Sequence, residues 1–118
     1  MVKPKQGDIY WVNFGKIEDS GPAGKRPAIV IQNDLINQSK INTTIVVLLT
    51  SNLKLANVPG NIRLSKGIAN IPKPSVVVVS QITTIDKSRL IEKIGTLKNE
   101  TIKKISDACK EVISNIDL

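Results

Sequence analysis

Residues 24–32 read GKRPAIVIQ, so a glycine and two cations lead through a proline into an unbroken apolar run. Glycine and proline favour a turn at this point, and the β-branched residues that follow predict a buried strand. The arginine at the start of that strand carries a planar fork of donors that matches phosphate geometry. The stretch therefore predicts a β scaffold that presents a guanidinium, that of Arg26, at a strand end.

Other segments continue the same pattern. The apolar run 46–49 ends in Thr50, Ser51 and Asn52, so hydroxyl groups follow a second buried strand. A short helix through residue 38 is predicted with Asp34 as its cap, and a turn or helical turn with an acidic cap, Asp86, is predicted over 86–90. Loops are predicted over 15–25, 52–59 and 67–74. The aromatic residues of the first strand are expected to fill the core; they are Tyr10, Trp11 and Phe14. Strands are predicted over 8–14, 27–31, 43–49, 60–64, 75–80 with an extension through 85, and 93–97.

The periodicity changes from residue 98 onward, where apolar residues recur at spacings of three and four. Such spacing predicts one face of an amphipathic helix. The fold class expected is α+β and mostly β, a small barrel or strongly bent antiparallel sheet covered by a C-terminal helix, in a single domain over 1–118. The predicted helix face consists of Ile102, Ile105, Ala108, Cys109, Val112, Ile113 and Ile116.

The charge is unevenly distributed. The chain of 118 residues has 17 Lys and Arg against 10 Asp and Glu, a net charge of +7. Residues 1–97 carry 13 of the basic and 6 of the acidic residues, which accounts for the whole excess. Such a field attracts polyanions and raises their encounter rates.

Composition also excludes some classes of site. The chain has no histidine and one cysteine, so a histidine proton shuttle and imidazole ligation of a metal are excluded. No metal or cofactor is expected. Neither a signal sequence nor an apolar run of about 18 residues is present, which predicts a cytoplasmic protein without a membrane span.

An ordered set of short motifs along nearly the whole chain resembles the MazF/PemK family, the toxins of bacterial toxin–antitoxin pairs. The motifs are Gly7-Asp8-Ile9-Tyr10-Trp11, Gly24-Lys25-Arg26-Pro27, Gln32-Asn33-Asp34, Leu49-Thr50-Ser51, Pro59-Gly60-Asn61 and the segment 80–90, SQITTIDKSRL.

The resemblance implies an SH3-like barrel that acts as a homodimer and an endoribonuclease that cuts single-stranded mRNA at a short sequence without metal. It places the catalytic arginine at Arg26, the catalytic threonine at Thr50 and an acid at Asp8. A cognate antitoxin with an acidic tail would bind the same basic groove.

Two positions depart from the family pattern. The loop before the arginine commonly carries Gly-Ser-Glu, whereas residues 19–21 here read Asp-Ser-Gly and place Gly21 where the glutamate stands. Ser80 occupies a position that holds an acid in many members. The general base is therefore open, with Asp8 and Asp19 as candidates, and Ser51 is a candidate to assist Thr50.

The loops and strand ends supply further candidates for holding RNA. Lysines there would hold phosphates, which position a strand without reading its sequence. The RNA-binding candidates are Lys16, Ser20, Lys25, Gln32, Asn33, Lys54, Lys66, Lys73, Ser80 and Gln81.

Two alternatives belong to other classes of protein. A gyrase poison similar to the CcdB toxins would share the fold and act by binding alone. An SH3-like binding module without activity would explain Gly21 and Ser80.

Overall fold

Six antiparallel strands form one strongly curled sheet in the computed structural model, which describes residues 2–16 and 22–114. The order across the sheet is β4-β5-β3-β2-β1-β6, and a C-terminal helix, α2, packs against β5. The bent sheet with a C-terminal helix confirms the expected fold class. The elements are β1 (Asp8–Asn13), β2 (Lys25–Val30), α1 (Asp34–Asn37), β3 (Thr43–Thr50), β4 (Ile62–Leu64), β5 (Ser75–Asp86), β6 (Leu90–Thr96) and α2 (Asn99–Val112).

Alternation along the strands divides the buried side chains between two clusters, because successive residues of a strand point to opposite faces. Ile9, Ile29 and Val47 pack in the cluster that α2 covers through Ile105 and Cys109. A second cluster forms on the opposite face; its buried members are Tyr10, Val12, Ala28, Val30, Val46, Leu48, Ile85 and Leu90.

A bulge in β5 increases the curvature of the sheet. Val47 and Leu48 are consecutive in β3, yet their partners in β5 are Ile82 and Val78. Three residues of β5 therefore have no partner in β3, and such an insertion bends a strand and increases its twist. The segment 75–86 is a single strand, as predicted, with this bulge at its centre.

The helix α2 confirms only the first part of the predicted apolar face. Ile105 and Cys109 are buried and Ile102 packs against them, but Val112 is 44% exposed and Ile113 is 77% exposed. The prediction that these last two residues pack on the sheet is wrong, because α2 ends at Val112 and its last turn lies beyond the core. Ile116 lies outside the described residues.

Several turns differ from the predictions. Asn33 caps α1, its side chain accepting a hydrogen bond from the Leu35 amide at 2.7 Å, and Asp34 is the first helical residue. Short 3₁₀ segments occupy Leu53–Asn57 and Ile68–Asn70 inside the predicted loops. Asp86 caps a third such segment, Lys87–Arg89, which confirms the predicted acidic cap.

The segment 65–74 folds back onto β6. Gly95 of β6 lies against the backbone of Ala69, and a Cβ added there would be 2.6 Å from the Ala69 carbonyl carbon. Only glycine permits so close an approach between two backbones. This contact holds residues 71–73 beside the ends of the central strands.

No helix in the described ranges 2–16 and 22–114 is long and apolar enough to cross a membrane.

Candidate active site

A cleft of about 290 Å³ opens where β1 and β3 end and where β2 and β5 begin. The antiparallel order brings these four strand ends to the same end of the sheet. The segment 65–74 forms the opposite wall of the cleft. The polar lining residues are Arg26, Thr50, Ser51, Lys73 and Ser75. The apolar lining residues are Trp11, Pro27, Leu49, Ile71, Pro72 and Ile94.

Strand register brings Arg26 and Thr50 to the same cleft. Ala28 of β2 lies opposite Leu48 of β3, and this is the last pair of the ladder toward the cleft. Two residues further along each strand come Arg26 and Thr50, which therefore stand side by side at neighbouring strand ends, and both line the cleft. The predicted pair lies at neighbouring strand ends although 24 positions separate the two residues in the chain.

The polar groups of the cleft are arranged to receive an anion. The Arg26 side chain is exposed, and it makes no ion pair with any acid of the described residues. The Thr50 hydroxyl oxygen accepts a hydrogen bond from the Asn52 amide at 3.2 Å, which leaves its hydrogen free to donate. None of the lining residues is acidic, so the field of Arg26 and Lys73 favours phosphate.

Trp11 lines the cleft, contrary to the prediction that it fills the core. Tyr10 is buried in the second cluster and Phe14 packs against that cluster, as predicted. Trp11 points to the other face and is only half-buried, and the Lys25 ammonium lies 5.2 Å from the centre of its ring. The alternation of sides along β1 was the available signal that Trp11 and Tyr10 have different surroundings.

Asp8 is buried away from the cleft. Its carboxylate accepts hydrogen bonds from the Lys5 amide at 3.0 Å and the Thr96 hydroxyl at 2.8 Å, and the Lys93 ammonium lies at 3.3 Å. The side chain thus joins the start of β1 to β6. Burial, and then the negative charge of Asp8, raises the pKa of Tyr10, so that phenol stays protonated at neutral pH and does not act as a base.

We predict that Asp8→Asn lowers the free energy of unfolding by about 2 kcal/mol while the folded protein keeps the RNA cleavage that the family resemblance implies. The asparagine side chain would form no ion pair with Lys93. Its NH2 group would face a hydrogen-bond donor, either the Lys5 amide or the Thr96 hydroxyl. Urea denaturation measures the stability, and the RNA cleavage rate per folded molecule measures the activity. A stable variant that does not cleave would instead make Asp8 a catalytic group.

Gln32 and Asn33 lie at the far end of β2, away from the cleft. The Gln32 amide is buried and donates to the Asn37 side chain at 2.9 Å and to the Thr43 carbonyl at 3.2 Å. Asn33 caps α1. An RNA-binding role of Gln32 does not fit the structure, because its buried side-chain NH2 group is occupied inside the fold. Asn33 is exposed, and its RNA-binding role stays a prediction.

The remaining candidates are distributed over the surface. Lys73 lies at the cleft and Lys25 lies beside it, over Trp11. Asp19, Ser20 and Gly21 lie outside the described residues. The exposed candidates that do not line the cleft are Lys16, Lys54, Lys66 and, in the β5 bulge, Ser80 and Gln81.

Comparisons with a family model and with individual known proteins agree. A model of the PemK-like, MazF-like toxins of type II toxin–antitoxin systems matches residues 5–113. The chain is 34% identical to Endoribonuclease MazF6 of Mycobacterium tuberculosis over 108 residues, which cover 92% of this chain and 95% of that protein. It is also 34% identical to Endoribonuclease EndoA of Bacillus subtilis over 113 residues, 96% of this chain and 97% of the relative.

Solved structures agree on the fold. MazF from Deinococcus radiodurans superposes with a TM-score of 0.79 at 19% identity, covering 96% of this chain and 98% of that one. A mycobacterial endoribonuclease in complex with its cognate antitoxin superposes with a TM-score of 0.73 at 20% identity, covering 96% and 95%. The chain belongs to the family of PemK-like and MazF-like toxins of type II toxin–antitoxin systems.

Proposed function

We propose that the protein is an endoribonuclease toxin that cuts single-stranded mRNA at a specific short sequence in the cleft beside Arg26 and Thr50. The observation that carries the proposal is the convergence of these two side chains at one acid-free cleft, in a chain whose relatives are named endoribonucleases. The basic excess of the chain supports an anionic substrate.

The reaction uses the nucleophile that RNA itself carries. The 2′-hydroxyl attacks the adjacent phosphorus, the bond to the 5′-oxygen of the next nucleotide breaks, and a proton passes to that oxygen. The products are a 2′,3′-cyclic phosphate and a free 5′-hydroxyl. Negative charge grows on the non-bridging oxygens of the transition state, where the Arg26 guanidinium stabilises it more than it stabilises the ground state.

Thr50 positions the RNA backbone. Its free hydroxyl hydrogen donates to a phosphate oxygen and holds the backbone for in-line attack, and Ser51 extends the same set of donors. The Lys73 and Lys25 ammonium groups hold flanking phosphates. The proposed mechanism uses no metal ion.

We assign removal of the 2′-hydroxyl proton to none of the carboxylates in the part of the chain that the structure describes. Asp8 is buried and paired, and the Cys109 thiol is buried with a raised pKa caused by that burial. Asp19, in the segment outside the described residues, remains the candidate base. We propose that positioning and charge stabilisation supply most of the acceleration.

The same cleft is proposed as the site of inhibition. A cognate antitoxin with an acidic, partly disordered tail would occupy the positions of the RNA phosphates and fold on binding. The protein is proposed to act in the cytoplasm as a homodimer, as the family resemblance implies.

Incubation of the purified protein with mixed-sequence RNA in the presence of EDTA tests the proposal. The expected result is cleavage at a recurrent short sequence with cyclic-phosphate ends. Intact RNA together with stalled gyrase would instead make the protein a gyrase poison, and inertness in both assays would leave a binding module.

We predict that RNA affinity decreases with salt. Arg26 and Lys73 at the cleft and Lys25 beside it correspond to a slope of log K against log salt of about −2, or about a 20-fold loss between 50 and 200 mM. Fluorescence anisotropy with a 2′-O-methyl oligonucleotide, which has no free nucleophile, measures this slope.

Matched lysine variants test the origin of the salt slope. Lys73→Gln is expected to reduce its magnitude by about 0.7. Lys104→Gln removes the same charge from an exposed position on α2 and leaves the slope unchanged. Equal effects of both substitutions would assign the attraction to the net charge of the protein.

A further inference from the structure

The apolar part of the cleft has no role in the chemistry of the phosphate. Six of the eleven lining residues are apolar, and Leu49 and Ile71 among them are buried. Phosphate and ribose need only the polar rim. We propose that the apolar part is a slot for one unstacked nucleobase beside the scissile phosphate, with Trp11 as its stacking surface; this inference rests on the proposed function.

The backbone of Trp11 is held from both sides. Trp11 lies opposite Pro27 of β2 and Glu92 of β6, so β1 is an inner strand at this position. The Lys25 ammonium lies over one face of the ring, 5.2 Å from its centre, a cation–π contact that restrains the side chain, and the proposed stack uses the opposite face. A rigid aromatic ring stacks on a base with little loss of conformational entropy.

The walls and the size of the slot fit a base better than a longer ligand. Pro27 and Pro72 are rigid, and the polar Ser75 hydroxyl already donates to the Lys73 carbonyl at 3.0 Å. The cleft volume of about 290 Å³ is at the lower limit of small-molecule sites, about 300–1,000 Å³. This space accommodates one base.

The charged rim determines which part of an RNA enters the slot. Arg26 and Lys73 stand at the rim of the same cleft and attract phosphates. A base attached to the nucleotide held there is the nearest apolar group of the ligand. Single-stranded RNA is commonly recognised by bases that leave their stack and lie against aromatic side chains.

Trp11 is the only tryptophan of the chain, so its fluorescence reports the proposed contact directly. The full-length protein is titrated with a mixed-sequence 2′-O-methyl oligonucleotide and with an oligonucleotide of the same length whose residues are abasic. Quenching by the first and not by the second is expected, because only a base stacks on the ring.

Substitutions separate stacking from packing. Trp11→Leu is expected to raise KM for RNA cleavage about 5- to 150-fold, the range for loss of one base–aromatic stack, with a smaller change in kcat. Trp11→Phe retains a ring and most of the affinity. Phe14→Leu is the matched control: it removes an aromatic residue close to β1 that packs on the second cluster, and KM stays unchanged.

The outcomes distinguish the slot from the proposed function. RNA cleavage by the wild type, with unchanged fluorescence and an unchanged KM in Trp11→Leu, overturns the slot and leaves the endoribonuclease proposal standing. Base-dependent quenching without cleavage supports the slot and overturns the endoribonuclease. Absence of both overturns both. If Trp11→Leu does not fold, the fluorescence titration and Trp11→Phe carry the test.

Discussion

Arg26→Ala is expected to lower the single-turnover rate of RNA cleavage by a factor on the order of 10²–10³, the typical cost of losing one preorganised electrostatic donor at a transition state. The side chain is exposed at the start of β2, so its removal creates no cavity and leaves the fold intact. Rates measured at saturating RNA isolate the chemical step, and circular dichroism with thermal unfolding confirms the fold.

Two further arginine variants give this prediction its controls. Arg63→Ala removes the same charge from an exposed position on β4 that does not line the cleft, and the chemical step should be unchanged. Arg26→Lys keeps the charge and loses the planar fork of donors, so an intermediate rate is expected. An unfolded Arg26→Ala, or equal losses in Arg26→Ala and Arg63→Ala, would contradict the catalytic assignment.

Gly95→Ala is expected to lower the free energy of unfolding by about 3 kcal/mol and to weaken RNA cleavage as well. The new Cβ would overlap the carbonyl group of Ala69, and one of the two backbones must move, which costs more than a side-chain adjustment. The displaced segment 65–74 carries Ile71, Pro72 and Lys73 of the cleft. Urea denaturation measures the stability, and KM for RNA measures the disturbance of the cleft.

Gly67→Ala is the matched control in the same segment. Gly67 has φ of +91°, but a Cβ added there meets no heavy atom within 4 Å. Gly67→Ala is expected to lower the free energy of unfolding by about 1 kcal/mol, because alanine disfavours this positive φ. The cleft should keep its shape. If Gly67→Ala and Gly95→Ala destabilise the protein equally, the contact between Gly95 and Ala69 does not hold the segment.

Prediction from sequence succeeded where the signal is local. The apolar run after Pro27 became β2, the cap at Asp86 is present, and the three- and four-residue spacing marks α2 as far as Cys109. It failed where the deciding contact comes from a remote segment. The motif around Asp8 predicts a chemical role, whereas its carboxylate is bound by Lys93 and by Thr96, which is 88 positions away.

The candidate site shows the same division. Arg26 and Thr50 were assigned from the motifs that resemble the MazF/PemK family, and each stands at the end of a strand that its own neighbours predict. An aromatic residue in a strand is usually buried, which predicts Trp11 in the core. Only the curled sheet and the segment 65–74 reveal that its ring borders a cleft.

The amino-acid sequence by itself determined the kinds of secondary structure and the positive net charge, because periodicity, charge and turn propensity are properties of the residues and their near neighbours. It also contains the family motifs that predict Arg26 and Thr50 as site residues. Tertiary structure alone decided which strand ends meet, which carboxylate is buried and which aromatic ring faces the cleft. These depend on register, on the three-residue bulge in β5 and on the approach of Gly95 to Ala69, and each of these joins residues that are distant in the chain.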